Sequence, residues 1–299
     1  RRSVDRGRFA GFYAEATRLN ALWYASPDRP APPPSASPMQ WTCTGPVTYT
    51  GQAAVQRDID NLSAALAAQP GVEAFMPVVA PASLEPGRPN AYYPTEEAYV
   101  HALAEAMSHE YRAIVDAGFV LQIDDAWVPA LWDLVSQDMD LDAYKDRCRV
   151  RVEALNQALR GIAPDRVRYH LCWGSWHGPH VSDVPLRDIV DLMLAVNAGA
   201  YAFEAGNVRH EHEYHLWEDV QLPADKLIIP GVVSHATNVV EHSELVAERI
   251  MRFANLVGRE RVLAGTDCGL GGRVHPEIAW AKLGSLAEGA RLASQRLWS

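Results

Sequence analysis

Apolar residues along the chain alternate between short continuous runs and longer stretches in which they return every third or fourth position. The runs are MQWTCT (39–44), VEAFMPVVA (72–80), FVLQIDD (119–125), VRYHLCW (167–173), AYAFEA (200–205), KLIIPGVV (226–233) and VLAGTDCG (262–269). Their β-branched and aromatic content, with turn-forming residues beyond them, predicts seven β-strands. The intervening stretches predict helices over 9–24, 53–69, 95–117, 141–161, 186–196, 243–257 and 276–297. Thr95 is placed to cap the third of these, with Glu96 and Glu97 in its first turn. SPDRPAPPPSASP (26–38) carries too much proline for a regular element and reads as a loop.

Strands separated by helices long enough to cross over must pair in parallel. That alternation fits both an open doubly wound sheet and a (β/α)8 TIM barrel. Polar candidates follow five or more separate strands, as at a barrel mouth, rather than only the two strands that flank a switch point. The expectation is therefore an α/β fold, one (β/α)8 barrel domain over 1–299. Its first strand would be missing from the chain as given, which begins at Arg1 without a methionine. No repeat of 20–50 residues breaks this pattern.

With 299 residues, 48% of them hydrophobic, the chain can build one large core. A net charge of −10 and the lack of any Lys/Arg run argue against a nucleic-acid groove or an anionic membrane surface, leaving small molecules as the expected partners. Cys43, Cys148, Cys172 and Cys268 are dispersed rather than arranged as a disulfide framework, which favours a reducing cytoplasm. The start, RRSVDRGRFAGFY, lacks the apolar core of a secretory signal, and no apolar stretch is long enough to span a bilayer. An oligomer is compatible with all of this.

Four residues stand at or just past strand ends: His170, Cys172, Glu204 and Cys268. His170 and Cys172, two apart on a strand, face the same side, which in a barrel is the inside. Two sulfurs, an imidazole and a carboxylate suit zinc. With both thiols ionised such a centre is electron-rich and a poor Lewis acid. It is better suited to holding a substrate thiol as a nucleophilic thiolate than to activating water. Taken singly, each residue has a plainer reading, since cysteine is among the most buried residue types and a strand-end glutamate usually forms an ion pair.

Other candidates carry similar alternatives. Of the adjacent Asp124 and Asp125 only one can enter the barrel, and Asp124 is assigned inward. His177 and His180 are proton donors or solvated loop residues. Trp173 and Trp176 wall a pocket or simply pack. Arg209 and Arg273 are anion clamps or ion-pair partners. His210, His212 and His215, in HEHEYH, form a second metal site if they converge, or hydrogen-bond at the barrel mouth. GLGG (269–272) lacks the spacing of a phosphate loop and instead permits a sharp turn.

The segments HLC (170–172), FEAGN (203–207) and GTDCGL (265–270) resemble the zinc-binding pattern in the C-terminal catalytic barrel of cobalamin-independent methionine synthase. TGPVT (44–48) and LQIDD (121–125) look like two further motifs of that barrel, in the same order, so the likeness spans about residues 40–298. The resemblance implies zinc held by His170, Cys172, Glu204 and Cys268, and an acceptor such as homocysteine whose amino group Asp124 engages. Asn207, Arg209, Trp173 and Trp176 join Asp124 in the expected substrate-contact set, with His177 and His235 as proton carriers. CWGSWHGPH (172–180), NVRHEHEYHLWED (207–219) and TNVVEHSELVAERI (237–250) look closer to a single-barrel branch containing epoxyalkane:coenzyme M transferase.

Three departures from the methionine synthase pattern bear on the donor and acceptor. One barrel stands where long synthases have two, which shifts the expected alkyl donor from folate toward a corrinoid protein or a small electrophile. After GVV (231–233) the chain reads SHAT, placing His235 one position from the family's proton-transferring histidine. The family's Ser-containing strand that grips an amino-acid carboxylate lies upstream. The expected function is zinc-dependent transfer of an alkyl group, methyl foremost, to a small-molecule thiol. The alternatives are an epoxide-opening thiol alkyltransferase, a metal-free enzyme resembling uroporphyrinogen decarboxylase, a zinc hydrolase and a structural zinc site.

Overall fold

The computed structural model describes residues 4–8, 10–11, 41–175 and 178–299. The helix expected over 9–24, apart from residues 10 and 11, and the loop 26–38 lie outside the described residues, as do Trp176 and His177.

Six strands form one parallel sheet: β1 (Phe75–Val79), β2 (Val120–Asp125), β3 (Val167–Leu171), β4 (Ala200–Phe203), β5 (Leu227–Val233) and β6 (Gly265–Thr266). Their spatial order is β1-β2-β3-β4-β5-β6, with every neighbouring pair parallel. A doubly wound sheet would reverse its strand order partway. Sequential order without reversal is the winding of a barrel, as the sequence predicts.

The helices among the described residues are α1 (Val4–Arg8), α2 (Gln52–Leu66), α3 (Glu96–Asp116), α4 (Trp127–Val135), α5 (Leu141–Ala158), α6 (Leu186–Leu194), α7 (Leu216–Asp219), α8 (Ser243–Val257) and α9 (Pro276–Trp298). Thr95 caps α3 as expected, its hydroxyl oxygen accepting from the Ala98 N–H at 3.0 Å. Helix α4 has no counterpart in the sequence reading, because Pro129 interrupts its apolar run. That proline sits in the first turn, where a missing N–H costs nothing, and Asp125 accepts from the Val128 N–H there at 3.4 Å.

Strand alternation divides two environments. Leu121, Ile123, Val167, Tyr169, Leu171, Tyr201 and Phe203 point outward and join Val100, Ala104, Tyr111 and Ile114 of α3 and Val152 and Leu155 of α5 in the main core. Full burial of each large apolar side chain stabilises by about 1.5–3 kcal/mol relative to exposure. Ala200, Ala202 and Ile229 form a small separate cluster on the opposite, inner face. The two alanines of β4 leave the inner face of β3 and β4 to polar groups.

Two strand expectations need correction. Residues 41–44 form no strand; Cys43 makes an isolated bridge with Asn90, through Cys43 N–H to Pro89 O (3.0 Å) and Ala91 N–H to Cys43 O (2.9 Å). The last strand shrinks to Gly265–Thr266, because a register shift between Gly231 and Val233 breaks its ladder with β5. Six strands, not seven, therefore make the sheet among the described residues. No helix among them is long and apolar enough to cross a membrane.

Candidate metal centre at the strand ends

β3 supplies the first two site residues. His170 pairs in register with Asp124 of β2 and Ala202 of β4, and Cys172 follows two residues later on the same inner face. Cys268 arrives from β6. It reaches the site because β5 and β6 approach closely at Gly231, where an added Cβ would lie 2.2 Å from Asp267 Oδ1 and 2.5 Å from Asp267 Cα.

The ligating atoms of His170, Cys172 and Cys268 all lie within 4.8 Å of one another. The two Sγ atoms are 3.9 Å apart, and both cysteines are free. Zn–S bonds of about 2.3 Å in tetrahedral geometry separate two sulfurs by about 3.8 Å. His170 Nε2 is buried without a hydrogen-bond partner, an arrangement that costs free energy unless something is bound there. The trio fits a thiophilic divalent cation, and its sulfur–nitrogen donor set suits zinc.

Electrostatics point the same way. Cys268 is held far below the usual thiol range, first by its hydrogen-bonded contact with Cys172 and then by the His170 imidazole. Cys172 is pushed up by that same contact with Cys268 and by burial. A bound cation would compete with protons for both sulfurs.

Glu204 sits in an adjoining trio with His235 and Asp267, whose ligand atoms also lie within 4.8 Å of one another. Its carboxylate accepts from Trp173 N–H (3.0 Å), Asn207 Nδ2 (2.7 Å) and Arg209 (2.6 Å). The two trios adjoin along the backbone, since Asp267 precedes Cys268. Asp267 is fully buried. Its Oδ1 accepts from the N–H groups of Ala205 (2.8 Å) and Gly206 (2.7 Å), and its Oδ2 from Asn207 Nδ2 (2.9 Å). Sequence reasoning missed this residue, although it lies inside GTDCGL beside a proposed ligand.

His235 is buried, and its Nδ1 has no hydrogen-bond partner. Burial holds its pKa down at about 4, against the pull of Cys268, so the ring is neutral. Asp124 faces inward, as expected, with Oδ1 accepting from Gln122 at 2.9 Å; burial raises its pKa, against His170. Asp125 faces the helix layer, accepting from the Tyr169 hydroxyl at 3.1 Å.

The remaining candidates build the wall behind the site. Trp173, expected at a substrate pocket, is fully buried; its Nε1 donates to Val184 O at 2.7 Å, and its ring stacks on His210 at 3.8 Å. It offers no face to solvent. Arg209 is committed to Glu204 and, at 3.4 Å, to Asp183, the ion-pair alternative to an anion clamp. His180 contacts Asp183 at 3.0 Å. His210 bridges Asp183 (3.2 Å) and Glu213 (2.8 Å). Burial works against its charge, yet those two carboxylates lift its pKa to about 9.

His212 and His215 lie on an exposed 3-10 turn over Glu211–His215, and no described cation-holding group joins them to His210. Arg273 donates to Gly269 O at 2.9 Å, closing its own loop.

A parallel sheet wound in sequential order, with a sulfur–imidazole cluster at its strand ends, defines an α/β protein of the barrel class. The sequence model described as the catalytic domain of the cobalamin-independent synthases matches residues 82–291, and the chain belongs to that family. The methionine synthase of Saccharolobus solfataricus is 28% identical over 211 residues, 70% of this chain and 54% of that protein. The 2-hydroxypropyl-CoM lyase of Xanthobacter autotrophicus is 23% identical over 232 residues, 69% of this chain and 57% of that one. The chain therefore spans about half the length of these curated relatives. Among solved structures, a B12-independent methionine synthase from a Shewanella species shares the fold, with a TM-score of 0.67 at 18% identity over 86% of this chain and 71% of the other.

Proposed function

We propose that the chain carries the catalytic site of a zinc-dependent thiol alkyltransferase, transferring an alkyl group, methyl foremost, to a small-molecule thiol such as homocysteine. The observation that carries this reading is the buried, unpartnered His170 Nε2 beside two free sulfurs 3.9 Å apart. A cation held by His170, Cys172 and Cys268, with Glu204 as the expected fourth ligand, would lower the pKa of the incoming thiol and hold it as the nucleophile.

The protein's own groups do the rest. Asp124, facing inward beside His170, would engage the acceptor's amino group. Neutral His235, with one nitrogen free of protein partners, is suited to exchange a proton with the leaving group. Asn207 and Arg209, expected at the substrate, donate to the Glu204 carboxylate and would orient it. Two thiolates in the donor set disfavour water activation, and hence a hydrolase. The same paired sulfurs weigh against a metal-free decarboxylase.

The likeness to 2-hydroxypropyl-CoM lyase supports a second reading, in which the electrophile is a strained epoxide carbon and the acceptor a sulfonated thiol. The test is metal analysis followed by calorimetry of the zinc-loaded protein with homocysteine, coenzyme M and glutathione. The expected result is one zinc per chain, lost in Cys172→Ser and in Cys268→Ser, and one tightly binding thiol. Absence of stoichiometric zinc, or indifference to every thiol, overturns the proposal.

A further inference from the structure

Two residues just after β3 each donate a hydrogen bond to a different acidic group of the site. Trp173 N–H donates to Glu204 Oε1 (3.0 Å) and Ser175 Oγ to Cys268 Sγ (3.6 Å). Gly174 lies at φ 84°, the left-handed conformation that glycine adopts without penalty. That turn lets neighbouring residues aim donors at one concave group of anions, as backbone nests do.

The arrangement addresses a problem intrinsic to the proposed chemistry. An electrophile meeting a centre with two protein sulfurs and one substrate sulfur has three nucleophiles to choose from, and alkylating a ligand would destroy the site. A sulfur lone pair engaged by a donor is less available for attack. Resting on the alkyltransferase reading above, we propose that segment 173–175 is a selectivity element. The Ser175 hydroxyl blunts Cys268, turning the electrophile toward the substrate's sulfur. Ser175 acts through Cys268 and is a positioning residue rather than a catalytic one.

The test treats zinc-loaded wild type, Ser175→Ala and Ser175→Thr with iodoacetamide. Attack forms a carbon–sulfur bond at cysteine as the carbon–iodine bond breaks, iodide leaving with the electron pair. Peptide mass spectrometry follows Cys268, with Cys172 as internal reference. In Ser175→Ala, Cys268 should be alkylated on the order of tenfold faster than in wild type, with Cys172 unchanged. The sulfur-to-metal charge-transfer band of the cobalt-substituted variant should move to longer wavelength. Ser175→Thr, which keeps the hydroxyl, should restore both readouts.

Equal Cys268 rates with an unmoved band overturn the inference. So does equal acceleration at both cysteines, which signals general loosening of the site. If wild type takes up neither zinc nor cobalt, the alkyltransferase reading falls and this inference with it. Normal metal uptake with an unaltered alkylation pattern removes this inference alone.

Discussion

Replacing Asp267 with Asn tests how the site is held together. The native carboxylate is fully buried and accepts from two backbone N–H groups and from Asn207 Nδ2. An asparagine can keep Oδ1 on the two backbone donors, but its own NH2 then faces the NH2 of Asn207. One charge-assisted hydrogen bond, worth about 1.5–3 kcal/mol, is lost, and the other two weaken toward the neutral value of about 1 kcal/mol. Part of this returns, because burial raises the Asp267 pKa and so penalises the ionised form that asparagine replaces. A net loss of about 2 kcal/mol follows, which for a chain of this size lowers Tm by roughly 3 °C. Because Asp267 ties the 204–207 loop to the residue before Cys268, zinc affinity should fall on the order of 10- to 100-fold. Thermal melts of the metal-free protein and zinc titration against a chromophoric chelator measure the two effects. A variant that melts within about 1 °C of wild type and binds zinc equally well would refute the reasoning.

Two further perturbations probe the surroundings. His210 has a folded-state pKa of about 9, above its unfolded value of about 6.5. Its contribution is therefore complete below about pH 6.5 and lost as pH rises through about 9. The unfolding free energy from urea melts should fall across that window by about 3 kcal/mol, and His210→Gln should flatten the slope; an unchanged slope in the variant would contradict the assignment. Gly231→Ala drives a methyl into the Asp267 backbone and should cost about 3 kcal/mol or more. Gly271→Ala, with nothing within 4 Å of the new Cβ, should stay within about 0.5 kcal/mol. Equal urea midpoints for the two would show that the close approach of β5 and β6 is not as tight as described.

Much of the scaffold was legible because each central strand is apolar on one face and small or functional on the other. The runs at 119–125, 167–173 and 200–205 show both properties, and their helices announce themselves through caps such as Thr95. The failures have local causes. Residues 41–44 look like a strand but pair only with a loop at Asn90. The apolar run at 262–269 promised a longer strand than Gly265–Thr266, because no single-chain pattern reports a register shift against β5. Helix α4 was hidden by a proline that is harmless in a first turn.

Periodicity by itself determined that His170 and Cys172 share a face and that only one of Asp124 and Asp125 looks inward, and the crossover lengths determined that the sheet is parallel. These follow from backbone geometry acting over a few residues. Only the tertiary structure decided that Cys268 comes within 3.9 Å of Cys172, that Arg209 is held by Glu204 and Asp183, and that Trp173 is sealed behind the site. Those outcomes depend on how closely distant strands approach. A Cα without a side chain at Gly231 and a buried carboxylate at Asp267 set that distance, and neither leaves a periodic trace in the chain.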